Sequence, residues 1–283
     1  MKNTISRLLT VSCLALSIAT STQAQSLKIP AASPSQTVKQ SFGLGDITIE
    51  YSRPLVRNRV IFGELVPYGK VWRTGANSAT KLTFSEDVTF GGQPVKAGTY
   101  ALYTIPGKSS WKVMLYSDLT LAGNVADYNK EKEVLRIEVA PKMTDHKVES
   151  FTINLDKVKA TTATLELSWD DVRVPVKIAT EIDGKVMKSI DAALAMDTRP
   201  YYQAATYYYD NNKDLDKASE WIGKAVEQNP KAFWVRMQQA KIQLKKGERK
   251  AALNTAEEVI RLATEAKNDD YVKMAKKFIA ENK

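Results

Sequence analysis

Ile47-Thr48-Ile49-Glu50-Tyr51 and Trp111-Lys112-Val113-Met114-Leu115-Tyr116 are the two stretches whose reading decides the fold. In each, large apolar residues return at every second position, the period of an extended chain whose side chains point to alternate faces. One row is expected against a core and the other towards water. The same beat runs through Lys81–Phe84, Tyr100–Ile105, Val134–Val139, Phe151–Leu155, Ala163–Trp169 and Val172–Ile178. Gly91-Gly92 between Val88-Thr89-Phe90 and Pro94-Val95 suits a hairpin, and Asp170-Asp171 reads as a turn separating two further strands. About nine short strands with no helical period between them predict an antiparallel β-sandwich, jelly-roll-like, over residues 25–180.

After Glu181-Ile182-Asp183-Gly184 the apolar period lengthens to about 3.6, with alanine and lysine frequent, so the chain is mainly β and then all-α. Residues 181–198 read as a connecting segment whose helix runs over Lys185–Met196, and 199–283 as a helical domain. There the sequence nearly repeats at an offset of 34: Ala218 matches Ala252, Ile222 corresponds to Ala256, and Ala225 answers to Val259. Gly247 sits where a turn between paired helices belongs, and Asn229-Pro230 closes the first unit. These residues resemble tetratricopeptide repeats over about 199–266, with Asp270–Asn282 as a polar capping helix. Tyr202 stands where that pattern prefers Trp and Thr206 where it prefers Gly, so a plain helical hairpin bundle is the alternative. Because at least three repeats are usually needed to bury a continuous core, the helices are expected to lean on the β domain.

The first 24 residues read as an address. Lys2 and Arg7 precede the apolar run Leu8–Ala19, and Ser21-Thr22-Gln23-Ala24 offers a small-residue cleavage site after Ala24. This is the pattern of a secretory signal peptide. The run is too short to cross a roughly 30 Å hydrocarbon layer, and no later apolar run reaches that length, so no transmembrane segment is expected. Lipid attachment at Cys13 is the rival; Thr10-Val11-Ser12 before it do not fit a lipoprotein signal. The destination is then the periplasm or the extracellular space.

One Cys and one His in 283 residues exclude a zinc site, an iron–sulfur cluster or a disulfide framework built by this chain alone. The net charge of +9 falls to +7 without Lys2 and Arg7, and the acids remain interspersed with the bases, which suits a generally basic surface rather than a nucleic-acid stripe. Most of the excess has one address. Residues 53 to 73 carry five bases and one acid, a net of +4, equal to that of the whole stretch 25–180, which has 20 bases and 16 acids. Arg53, Arg57, Arg59 and Arg73 offer forked donors for carboxylate, phosphate or sulfate, Tyr68 and Trp72 flat faces, and Asn77 an amide. These seven residues are the candidate ligand-binding patch, for an anion or a carbohydrate. The competing reading pairs the arginines with Glu50, Glu64, Glu86 or Asp87 and uses Trp72 as core at the mouth of the sandwich.

Ser52-Arg53-Pro54, Arg57-Asn58-Arg59, Ile61-Phe62-Gly63, Leu65 to Gly69, Val71-Trp72-Arg73-Thr74-Gly75-Ala76-Asn77 and Thr80, continued by Ala97–Pro106 and Trp111, resemble an exported bacterial family known only as domain of unknown function 2911. The likeness spans roughly residues 30–178. It implies a secreted or periplasmic β domain, often followed by helical repeats, and no established activity.

No catalytic set is complete. His146, in what reads as the polar loop Thr144–Lys147, has no Gly-x-Ser-x-Gly elbow to serve, and Gly43-Leu44-Gly45 leads into a strand instead of a phosphate-binding helix. Neither a metal site nor a cofactor is implied. Glu64, Glu86 and Asp87 remain as carboxylates for sugar hydrolysis, although arginines around them would lower their pKa and oppose a general-acid role. Tyr201, Tyr208 and the basic group Lys245, Lys246, Arg249, Lys250 read as helix packing and a solvated face. The expectation is a non-enzymatic binding protein of the bacterial envelope that meets an unknown protein through its helices and an anion or carbohydrate through its β domain. A periplasmic hydrolase of an anionic or sugar substrate and a purely structural envelope protein are the alternatives.

Overall fold

The structure, a computed structural model, describes residues 29–121, 124–195 and 200–283. The expected leader, with Cys13, lies outside the described residues. Ten strands are β1 (Ser35–Phe42), β2 (Gly45–Ser52), β3 (Thr80–Phe84), β4 (Val88–Phe90), β5 (Gln93–Val95), β6 (Gly98–Ile105), β7 (Trp111–Tyr116), β8 (Glu133–Val139), β9 (Lys142–Asp156) and β10 (Thr162–Ala179). They form two antiparallel sheets, ordered β1-β2-β3-β6-β7-β8 and β5-β4-β10-β9. Alternate residues of both sheets meet in one core: Ile47, Ile49, Leu82, Trp111 and Val113 from the first face Phe90, Ile153, Leu165, Leu167 and Trp169 from the second. The sandwich expected from the two-residue period is therefore present.

Three local expectations change. Asp170-Asp171 does not reverse the chain, because Thr162–Ala179 is one strand. The register with β9 shifts on either side of Asp170, whose φ is +53°, so the pair forms a bulge that bends the ribbon without ending it. His146 accordingly stands in β9 and not in a loop. The third change concerns the row expected to face water in β7: Met114 and Tyr116 are fully buried. The chain after β7 folds back over the outer face of the six-stranded sheet, where Tyr128 stacks on Tyr116 at 4.8 Å and meets Tyr103 edge-on at 5.2 Å. Burial pushes the Tyr103 phenol up to about 12, with Tyr116 and Asp118 adding to the rise and Arg73 opposing it.

Six α-helices follow: α1 (Asp183–Ala195), α2 (Tyr201–Asp210), α3 (Leu215–Gln228), α4 (Phe233–Lys245), α5 (Arg249–Glu265) and α6 (Asp269–Glu281). Met196, placed in the first helix by the sequence, lies outside the described residues. The 34-residue offset lays α3 on α5: Ala218 and Ala252 are each the fourth residue of their helix and fully buried, as are Ile222, Ala256 and Val259, with Ala225 nearly so. Helices α2, α4 and α5 end alike. The residues after their caps, Asn212, Gly247 and Lys267, take positive φ, and the next amides reach back five residues: Lys213 N–H to Tyr208 O (2.8 Å), Glu248 N–H to Gln243 O (2.9 Å) and Asn268 N–H to Ala263 O (2.8 Å).

Among the described residues, the buried clusters of the helical region contain no residue of the sandwich: Ile190 of α1 joins α2, α3 and α4, while α6 closes over α4 and α5 through Ala275, Tyr271 and Phe278. The flanking helices α1 and α6 supply the stacking surface that two helix pairs lack. Contact with the sandwich passes through the joint, where Lys185 of α1 pairs with Glu86 and Ile182 approaches Gly43. Among the described residues, no helix is long and apolar enough to cross a membrane.

Candidate functional site

The candidate site is built on the long connection from β2 to β3, residues 53–79, which is irregular but tied down at each step. Pro54 to Val56 run beside the outer edge of β9: the Phe151 amide donates to Pro54 O and the Val56 amide to Glu149 O, both at 2.9 Å. That cover removes part of an exposed sheet edge. The chain then turns through Val56-Arg57-Asn58-Arg59, closed by the Arg59 amide to Val56 O at 3.1 Å, with φ of +50° at Arg57 and +56° at Asn58. Two successive positive φ values define the type I′ hairpin turn, which ordinarily takes Asn-Gly. An arginine held there costs about 1 kcal/mol of backbone strain.

Further on, Trp72 joins β6 by paired backbone bonds with Thr104, at 2.7 and 2.9 Å. Its indole stacks on Trp169 at 5.8 Å and 17°, meets Phe151, Phe62 and Trp111 edge-on, and donates Nε1–H to Gly75 O at 3.1 Å. The next turn is tight. Thr74 has φ +56° although fully buried, and Asn77 has φ +59°. Gly75, at φ +149°, could not carry a side chain cheaply, since a Cβ would lie 3.1 Å from Ser52 O and 3.2 Å from the Thr80 hydroxyl.

These turns enclose a cavity of about 340 Å³. Arg57, Arg59 and Arg73 line it together with Trp72, Trp169 and Leu65. Among the described residues its lining holds no carboxylate, and Ala32 and Ser33 of the leading segment belong to the wall. Arg59 is clasped by its own loop, donating Nε–H to Val56 O at 3.0 Å and Nη2–H to Leu55 O. That clasp fixes the guanidinium and leaves Nη1 for a ligand. Arg57 donates Nη2–H to Ala32 O at 3.3 Å, and its backbone amide is capped by the Glu149 carboxylate at 3.0 Å. Arg73 is half-buried.

Of the seven residues chosen from sequence, four therefore share one cavity: Arg57, Arg59, Trp72 and Arg73. The other three stand apart from its lining. Arg53 bonds β9, through Phe151 O at 3.0 Å and the Thr152 hydroxyl at 2.7 Å. Asn77 donates to the Ser52 hydroxyl at 3.2 Å and steadies the leading segment through Ser33 O. Tyr68 lies outside, beneath Lys108 at 6.0 Å. Two of the four acids offered as arginine partners are engaged elsewhere, Glu86 with Lys185 and Asp87 with Lys96. What sequence reading missed is Trp169, Leu55, Leu65 and the leading segment. A core tryptophan on a period-two strand looks the same whether or not its edge meets a cavity.

Residues 33–178 match the sequence model of a family described as a protein of unknown function, DUF2911. The chain belongs to the DUF2911 family. The match covers both sheets from just before β1 to the end of β10, and so takes in almost all of the cavity while ending before the helices. Neither a curated protein nor a solved structure matches the chain. A second cleft of about 350 Å³ in the DUF2911 domain lies against β9 and β10, and its lining includes Asp145, His146, Val148, Asn154, Glu166 and Arg173, with Glu166 and Arg173 3.9 Å apart.

Proposed function

We propose that the chain is an exported, non-enzymatic binding protein of the bacterial envelope whose β domain takes an organic or inorganic oxyanion in the cavity lined by Arg57 and Arg59. The observation that carries this reading is that Arg57 and Arg59, their guanidiniums tied to backbone carbonyls, line a cavity that has no acid in its lining among the described residues. Cations so placed gain most from a ligand that brings the missing negative charge, because charge-assisted bonds are the strong ones. The backbone strain points the same way. Four of the eight non-glycine residues with positive φ among those described, Arg57, Asn58, Thr74 and Asn77, belong to this one connection. Strain of this kind collects where a site must be held in shape. An oxyanion is favoured over a stacked sugar because one face of Trp72 is given to Trp169 and its edges to other rings.

Export rests on the Lys2, Arg7, Leu8–Ala19 and Ala24 pattern. The helical region, read as tetratricopeptide-like, offers a surface for a protein partner; the coincidence of α3 with α5 at the 34-residue offset supports that reading. Calorimetric titration of the full chain with inorganic phosphate and with sulfate tests the anion site. Binding is expected, weakening as salt is raised. Arg59→Gln is expected to weaken it about tenfold or more. A protein that takes up neither anion, or whose affinity ignores Arg59→Gln and Arg57→Gln, ends the proposal.

A further inference from the structure

The cleft against β9 and β10 exists because the long strand β10 breaks step at its middle. Leu165 and Leu167 before the break and Val174 and Val176 after it are all buried in the core, so Glu166 and Arg173, seven positions apart, share the outer face. In a regular strand an odd separation puts two side chains on opposite faces, and seven residues span about 23 Å, farther than the two side chains together can reach. Here their charged ends stand 3.9 Å apart. The bulge at Asp170-Asp171 accounts for both changes, resetting the alternation and folding the strand over its own outer face. Opposite it β9 widens as well: residues 144–147 lie between the pairs Met143–Val172 and Val148–Asp170, where β10 offers only Asp171. That extra length carries Asp145 and His146 to the cleft. It is pinned to the bulge by the Thr144 hydroxyl on Asp170 O at 3.4 Å and by Lys147 on the Asp170 carboxylate at 3.2 Å. The side chains so gathered are unspent. Among the described residues, no hydrogen bond engages the side chains of Asp145, Asn154, Glu166, Ser168 or Arg173, and the Arg173 Nε–H is covered without an acceptor. Yet the Glu166 side chain is only 17% exposed and that of Arg173 37%, so neither is a freely solvated surface charge.

We infer that this cleft is a carbohydrate site that takes one sugar ring through its hydroxyl groups. At 3.9 Å Glu166 and Arg173 are too far apart to hydrogen-bond to each other. A hydroxyl oxygen about 2.8 Å from each satisfies both, because it donates to the carboxylate and accepts from the guanidinium. Asn154 stands directly opposite Glu166 in the register of β9 with β10, and its amide, donor and acceptor in one group, serves the hydroxyl on the next carbon. Val148, the one apolar residue in the lining, suits a C–H face of the ring and offers little to an alkyl tail. A volume of about 350 Å³ is that of a small-ligand pocket. A lone anion is disfavoured by two acids, Asp145 and Glu166, set against one arginine. The inference stands apart from the anion reading of the other cavity.

Saturation-transfer NMR on the full chain, with D-glucose, D-galactose and N-acetyl-D-glucosamine as probes and glycine as a zwitterionic control, tests the site. Transfer to at least one sugar is expected, and none to glycine. Titration of that sugar should then show its affinity falling about tenfold in Glu166→Gln, which keeps the shape of the side chain and removes the charged acceptor. Asn154→Ala, a change at an exposed position, is expected to weaken binding by a smaller factor. Thermal unfolding of both variants should match that of the parent, because neither side chain bonds the fold; if Glu166→Gln melts early, the loss of affinity in Asn154→Ala decides. No transfer to any of the three sugars overturns the inference. So does transfer to glycine that equals or exceeds that to every sugar, or an affinity that survives Glu166→Gln and Asn154→Ala together. Each of these failures leaves the anion reading intact.

Discussion

The sandwich and the helical array use left-handed backbone in opposite ways. In the helices, Asn212, Gly247 and Lys267 take positive φ just past a helix end, where the conformation closes the last turn and ties up its carbonyls. There it is punctuation. In the sandwich, Arg57, Asn58, Thr74 and Asn77 take the same conformation in a connection that a shorter hairpin could have replaced, and they aim arginines at one cavity. The cores differ to match. The sandwich packs large side chains drawn from distant strands, while the helices meet through small residues such as Ala204, Ala205, Ala218, Ala252 and Ala256. A deep aromatic core can hold an unfavourable loop in place; a stack of alanine-lined helices has less to spend on one.

The largest break in this comparison comes from the sandwich core. Trp169→Ala removes a buried indole that stacks on Trp72, and it is expected to cost about 3–5 kcal/mol. Denaturant unfolding should then show the tryptophan-rich sandwich melting early and the helical ellipticity persisting. A single shared transition would mean that the two cores are coupled through the Lys185–Glu86 joint. Alkaline pH sharpens the contrast next. The Tyr103 phenol is raised from its ordinary value near 10 to about 12, so the folded state keeps a proton that the unfolded state gives up. Its contribution is complete below about pH 10 and is lost as pH rises through about 12, on the order of 2 kcal/mol in all. Tyr103→Phe should flatten that part of the pH–stability curve; an unchanged slope would place the effect elsewhere, Tyr207 at the start of the helical array being raised to about 12 as well.

The smallest effects separate punctuation from purpose. Lys267→Gly relieves an αL residue with no ligand at stake, and thermal unfolding is expected to show a gain of about 0.5–1 kcal/mol. Arg57→Gly relieves the same conformation in the type I′ turn, so stability should hold or rise by up to about 1 kcal/mol while phosphate affinity falls. If Arg57→Gly left anion binding whole, the strain at that turn would have no functional account.

The strands were legible because burial on one face imposes a two-residue beat that survives in the sequence. Where the beat failed, a partner supplied the structure. Strand β1, Ser35–Phe42, is mostly polar and was not read; it exists because all eight residues pair in register with β2. Met114 and Tyr116 already hinted at their burial by being apolar in a row assigned to water, yet Leu121, Val125 and Tyr128, which cover them, belong to an irregular segment with no period to read. For the cavity, local density of charge was enough to bring out Arg57, Arg59, Trp72 and Arg73. It could not tell them from Arg53, whose guanidinium serves β9, because only geometry says which carbonyl a fork will reach. Two of the acids offered as partners, Glu86 and Asp87, pair with lysines instead.

The carbonyl of Ala32, which receives Arg57, has a practical meaning for anyone making the protein. The span that defines the family starts at residue 33, so a fragment cut to those limits would discard that acceptor and begin on Ser33, itself part of the wall. Such a truncation can fold into a sound sandwich and still present a breached container. Purification handles belong at the far end, beyond α6, where they leave the entrance as the cell makes it.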